Sequence, residues 1–186
     1  MDHTQELLAQ AEFRRREFWI RQESCKWYRS YLSKEVIGEL PSPHMALNPR
    51  SRVVCDEPEY RGYGVVLDVY PEVFAYAILL VHKVIPKGQR RPVVVCQRGL
   101  DGRPQDVADP KVESHYYHRY ACGVAEEGFV TFSPRNPYIG GETYRLLQPL
   151  ANPLKLSLFS FIVRQHQRIL EWLSSLPFVD KKRLAF

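Results

Sequence analysis

Apolar and polar positions alternate with two different periods along this chain. From residue 4 to about 33, Leu7, Leu8, Ala11, Phe18, Trp19, Trp27, Tyr28 and Tyr31 recur close to the helical spacing, with Arg14, Arg15, Arg16 and Arg21 in the gaps. That spacing predicts a helix. Prolines at 41, 43 and 49 then mark a linker. The next segment is rich in Val, Tyr, Phe and Ile: "RVVCDEPEY", "GYGVVLDVYP" and "VFAYAILLVHKV". Arg61-Gly62 and Tyr70-Pro71-Glu72 read as the turns between these strands, and gaps that short imply antiparallel neighbours. A further turn is expected at Lys87-Gly88-Gln89, after Pro86.

The pattern then changes again. "RPVVVCQ", residues 91–97, is a continuous apolar run, as expected of a parallel strand buried on both faces. Asp109-Pro110 supplies a cap residue and a proline at the first helical position, which predicts a helix with Tyr117, Tyr120, Ala121 and Val124 inward. Gly128 should end it in a left-handed conformation. "FVTFS", residues 129–133, is the next strand. Asn152-Pro153 repeats the cap-plus-proline signal ahead of a helix carrying Leu156, Phe159, Ile162, Val163, Ile169, Leu170 and Leu173. The first half of that helix is apolar nearly all round, so deep burial is expected. Pro177 stops it, and "VDKKRLAF" begins another strand. The predicted order is antiparallel strands followed by β-α-β-α-β. Right-handed crossovers would lay the last strands into one parallel sheet with helices on its faces.

Composition changes this picture little. The 186 residues are 45% hydrophobic and 25% charged, as in an ordinary globular domain. No window approaches the roughly 18 uninterrupted apolar residues of a membrane span, and the polar start lacks the pattern of a secretory leader. If Met1 is the true start, the cytoplasm is the expected compartment. The net charge of +5 favours acidic partners but selects none. Cys25, Cys55, Cys96 and Cys122 form no C-x-x-C pair, so neither a zinc site nor a disulfide framework is expected, and Cys96 reads as a buried thiol.

Two stretches resemble a known family: "RPVVVCQRGLDGRPQD", residues 91–106, and "RILEWLSSLPFVDKKRLAF", residues 168–186. Together they resemble the N-terminal part of an α/β-hydrolase of the dienelactone-hydrolase-like and acetyl-xylan-esterase-like branch, over roughly residues 50–186. In such hydrolases the Pro-x-Val-Asp-x-x-Arg segment leads through a short strand into Gly-x-Ser-x-Gly, the turn that exposes the nucleophilic serine. That motif does not occur in these 186 residues. The resemblance thus implies a chain that stops before the nucleophile elbow. None of serine, acid or histidine can be assigned, and the chain alone is expected to be inactive.

The resemblance also implies half of an oxyanion hole. The loop after the 93–97 strand would supply one backbone N–H, that of Leu100, with Gly99 letting the backbone turn close to substrate. Where the family usually has His-Gly, this chain has Arg98-Gly99. Arg98 would point to solvent or toward an anionic substrate, as part of a substrate loop. Apart from the resemblance, Tyr138 and Arg135 near the carboxyl edge of the sheet read either as substrate contacts or as part of a turn with no functional role.

Other signals carry less. His115 and His118 would share a helix face, but zinc needs a third ligand and only Asp109 or Glu113 is at hand. They are read as surface histidines, and neither metal nor organic cofactor is expected. The arginines and aromatics of the first helix resemble a single-stranded nucleic-acid patch. They are read instead as an amphipathic helix whose aromatics pack inward. Gly62-x-Gly64 lies between strands rather than before a helix, so no dinucleotide site is expected.

The expected organisation is a helical extension and linker at 1–48, then the N-terminal part of a hydrolase domain at 49–186. A complete relative would hydrolyse a carboxylic ester or lactone, with a small ester as its partner and neither nucleic acid nor membrane. The alternative is a non-catalytic interaction or dimerisation module. Both leave an unpaired sheet edge that could pair with a second chain.

Overall fold

A computed structural model describes residues 2–20, 22–99, 102–137 and 143–186. Helices α1 (Asp2–Ile20) and α2 (Gln22–Tyr31) run into a π-helical turn, Leu32–Ile37. Strands β1 (Arg50–Asp56), β2 (Tyr60–Tyr70) and β3 (Val73–His82) follow, then β4 (Arg91–Val95). Short helices α3 (Gln105–Ala108) and α4 (Tyr120–Glu126) lead to β5 (Val130–Pro134). Helix α5 (Thr143–Ala151), a 3₁₀ turn, helix α6 (Leu158–Ser175) and strand β6 (Val179–Ala185) complete the order.

The six-stranded sheet has the order β1-β2-β3-β5-β4-β6. The first three strands are antiparallel neighbours, and β3 lies antiparallel to β5. Strand β4 is parallel to both β5 and β6. This is the mixed sheet the patterning predicts. Val93 and Val95 are buried, and Val130 to Pro134 are buried throughout, as a strand covered on both faces requires. One core lies between the sheet and α6, where Ile169, Trp172 and Leu173 meet Leu67, Val93 and Phe132. The second lies on the other face, where Ala121, Cys122 and Ala125 of α4 meet Ile78, Leu80 and Cys96.

Several expectations are corrected. The turn between β1 and β2 falls at 57–59, and Gly62 lies inside β2, opposite Cys55 and Leu80. A Cβ there would sit 2.4 Å from Cys55 Sγ, so this glycine serves close packing rather than a turn. The helix expected from Asp109 forms only at Tyr120. Asp109 Oδ1 instead accepts the Lys111 N–H at 2.9 Å, a local turn that competes with a helix start. His118 and Arg119 then take φ of 46° and 52°, which helical residues do not. Gly128 does take φ 87° after α4, as its position predicts.

Asn152-Pro153 opens the 3₁₀ turn Asn152–Leu154, closed by Lys155 at φ 56°, rather than α6. Helix α6 starts behind Ser157, whose N–H donates to Ser160 Oγ at 2.9 Å. Its buried stripe runs through Leu158, Gln165, Ile169, Trp172 and Leu173, at spacings of the helical period. Phe159 and Val163 fall outside that stripe and are exposed, contrary to the deep burial expected for the first half.

At the N-terminus the helix is present, but its aromatics do not pack inward. Phe13, Trp27, Tyr28 and Tyr31 are exposed. The aromatics of α2 contact one another instead, with Trp27 stacked on Tyr31 at 5.2 Å and edge-on to Tyr28 at 4.8 Å. Arg21 and the side chain of Trp19 lie outside what is described. The proline-rich linker, by contrast, is pinned to the domain. Arg164 donates to the Leu40 carbonyl, Arg168 to that of Met45 at 2.7 Å, and Ser157 and Ser160 to that of Ile37, each at 2.7 Å. Among the described residues no single helix is long and apolar enough to cross a membrane.

Candidate active-site rim

The parallel strands end on one rim. Strand β4 leaves the sheet through Cys96, whose N–H still donates to Phe132 at 2.8 Å, and Gln97, whose N–H turns back to Val95 at 3.1 Å. The register pairs Val93 with Leu184 and Val94 with Ala185, so the end of β6 arrives beside the start of this loop. The end of β5 lies on its other side.

Three side chains hold the loop. Tyr120 Oη donates to the Gln97 carbonyl at 2.6 Å. Tyr117 Oη accepts the Gly99 N–H at 3.1 Å. Arg98 Nη1 donates to the carbonyl of Pro134, at the end of β5. The Arg98 side chain is therefore an internal brace, only 4% exposed, and not a group turned to solvent. The physical reason is the position of that carbonyl. It is a buried acceptor where β5 ends, and a guanidinium is long enough to meet it with a charge-assisted bond. The stem of Arg98 lies against Gly102, where a Cβ would approach its Cγ to 2.8 Å.

The expected oxyanion residues divide. The Gly99 amide is engaged by Tyr117 within the fold. Leu100, the expected donor, lies outside the described residues. Tyr138 lies outside them as well. Arg135 is exposed at the same rim, its N–H donating to Tyr76 at 2.7 Å, and it lines a cavity of about 480 Å³ with Phe74, Asn136 and Phe161. A neighbouring apolar cavity of about 730 Å³ lies between the pinned linker and the β2–β3 turn, lined by Met45, Tyr70 and Phe161.

The electrostatics favour holding groups over reacting ones. Burial pushes the Tyr120 hydroxyl up to about 12, so it stays protonated and keeps its donor. Burial likewise pushes Cys96 up to about 12, and it remains a buried thiol as its run implied. Burial alone would raise Asp106. Hydrogen bonds from the Arg103 backbone and side chain outweigh it, with the nearby Arg98 charge, and hold the carboxyl below its ordinary 3.8. All four cysteines are free thiols. His115 and His118 lie in turns rather than on a helix, and no group of three or more metal-ligating side chains occurs among the described residues.

Sequence reasoning missed what Tyr117 and Tyr120 do. Their spacing marked a helix face, and only the loop's return over α4 turns them into tethers. Asn136, buried at the end of β5, carried no signal at all.

No protein-family model matches this chain, and no curated protein matches its sequence. Solved structures do. A Bacteroides fragilis protein assigned as an acetyl xylan esterase superposes with a TM-score of 0.64 at 19% identity, over 81% of this chain and 43% of its own. An acetyl xylan esterase of a Paenibacillus species gives 0.56 at 19% identity, over 75% and 45%. Acetyl xylan esterase 1 of a Thermoanaerobacterium species gives 0.54 at 12% identity, over 75% and 44%. The chain therefore carries part of an α/β-hydrolase fold, and it spans less than half the length of these structures.

Proposed function

We propose that this chain builds the scaffold and the oxyanion side of a carboxylic ester or lactone hydrolase. Its attacking serine belongs to a segment continuing from β6. One observation carries this reading: β6 runs parallel to β4 and finishes beside the loop that bears Arg98 and Gly99. A strand-to-helix turn placed there would present its hydroxyl over the same rim. By the family resemblance, the oxyanion donor from this chain would be the backbone N–H of Leu100, a contact worth about 3 kcal/mol in a complete site. Chemistry through an acyl-serine needs no metal or organic cofactor.

The test is the polypeptide extended by the in-frame codons that follow Phe186. The expected result is a Gly-x-Ser-x-Gly turn, hydrolysis of p-nitrophenyl acetate, and a phosphonate adduct on that serine. A continuation without the motif, or with the motif and no turnover, contradicts the proposal.

A second reading follows from the sheet edge. Among the described residues β6 pairs only with β4, and its outer side carries no strand. A non-catalytic module would use that edge to pair with a second copy of the chain. Light scattering separates the two: a defined dimer favours the module, and a monomer that aggregates favours the hydrolase piece.

A further inference from the structure

At the amino rim, opposite the loop of Arg98 and Gly99, the ends of several strands surround a cavity of about 770 Å³. The amino end of β2, the carboxyl end of β3, the segment leading into β4 and the α6–β6 connection all contribute to it. Its apolar lining includes Tyr63, Val81, Ile85, Pro86, Pro177 and Phe178. Its charged lining is all cationic: Arg61, Lys83, Lys87 and Arg90, with His82 and Gln89 beside them, and no Asp or Glu lines it. An apolar body with a few converging polar groups is the usual make-up of a small-molecule site.

The cations are set in place by local structure. Asp56 holds Arg61 at 3.0 Å and Lys83 at 2.7 Å. Hydrogen bonds from those two hold the Asp56 carboxyl down at about 2, so it stays ionised, but one carboxylate offsets only one of the two charges. Lys87 sits in a turn closed by the Gln89 N–H on the Pro86 carbonyl at 3.0 Å, with Gly88 at φ 83°. That conformation is a type II turn position reserved for glycine. The side chains of Lys87 and Arg90 have no hydrogen bond or ion pair among the described residues. His82 Nδ1 lies 3.2 Å from both the N–H and the carbonyl of Val84, which fixes the ring against that segment. Asp180, on β6, is held by Arg183 at 2.7 Å, and the more distant charge of Arg90 adds a smaller attraction.

We propose that this cavity binds a small aromatic anion, its ring on Tyr63 and Phe178 and its phosphate or carboxylate head between Lys87 and Arg90. A guanidinium and an ammonium on one wall suit either oxyanion, and the ring separates such a ligand from a bare ion. The site lies on the rim opposite the hydrolase loop and does not depend on that reading.

Calorimetric titration of the 186-residue protein with phenyl phosphate, benzoate, inorganic phosphate and phenol tests it. At least one aromatic anion should bind more tightly than both inorganic phosphate and phenol. The preferred head group, phosphate or carboxylate, identifies the ligand type. Lys87→Ala with Arg90→Ala should weaken that binding about ten-fold or more without changing the melting temperature, because both side chains are exposed. Lys87→Gln alone should weaken it about three-fold. No binding of either aromatic anion, inorganic phosphate binding as tightly as both, or affinity unchanged in both variants would overturn the proposal.

Discussion

Arg98 and Pro134 are joined across the carboxyl rim, the guanidinium of one donating to the carbonyl of the other. One side chain thereby ties the loop after β4 to the end of β5. Removing it leaves a buried acceptor without that donor, at a cost of about 1–3 kcal/mol. Arg98→Ala should lower the melting temperature by several degrees, measured by calorimetry.

The same brace explains Gly102. In Gly102→Ala the new methyl meets the buried stem of Arg98, at 2.8 Å from Cγ. Overpacking of that kind costs about 1–3 kcal/mol. If contact with Arg98 is the cause, Gly102→Ala should cost less by at least about 0.5 kcal/mol in the Arg98→Ala background. Urea midpoints of the four proteins give the coupling, and strict additivity would reject the contact.

The pinned linker gives a different readout. Arg164→Met with Arg168→Met removes the donors to Leu40 and Met45. The prediction is faster proteolytic cleavage within residues 38–48, with the sheet intact by circular dichroism. Unchanged cleavage would mean that the other contacts of this segment, such as Tyr70 Oη on the Pro41 carbonyl, suffice to hold it.

His166 supplies a pH dependence. Burial lowers its pKa from the ordinary 6.5, and its ring packs against that of Phe186 at 5.2 Å. The unfolded chain therefore takes up a proton before the folded one does. Stability from keeping this ring neutral is fully present above pH 6.5 and is lost as pH falls through the lowered folded value. Urea midpoints should drop between about pH 8 and 5, and His166→Leu should flatten that drop. A drop of equal size in the variant would assign it to other groups.

How far these features were legible depends on what each signal is local to. The strand at 91–95 was legible because a strand buried on both faces needs an unbroken apolar run, and nothing else competes for "RPVVV". Asp109-Pro110 and Asn152-Pro153 carry the same cap grammar as a true helix start. There the side chain and the following left-handed residues close turns instead, which composition does not reveal. The real cap, Ser157, works with a serine three residues on and with a carbonyl 120 positions away. The tether of Arg98 was hidden for the same reason: its acceptor is on a different strand, so no window of sequence contains both. The exposed Trp27 and Tyr31 show the converse. Their spacing is helical, but nothing in the period says whether a helix face is covered.

The proposal of an ester-hydrolase rim whose attacking hydroxyl lies outside these 186 residues has a direct test. Incubating the purified 186-residue protein with p-nitrophenyl acetate, then with a serine-directed fluorophosphonate, and weighing it by intact mass spectrometry tests that most directly. The expected result is release of p-nitrophenol at the buffer rate and no mass increase. Turnover above that rate, abolished as one phosphonyl group is added to a serine of this chain, would contradict it.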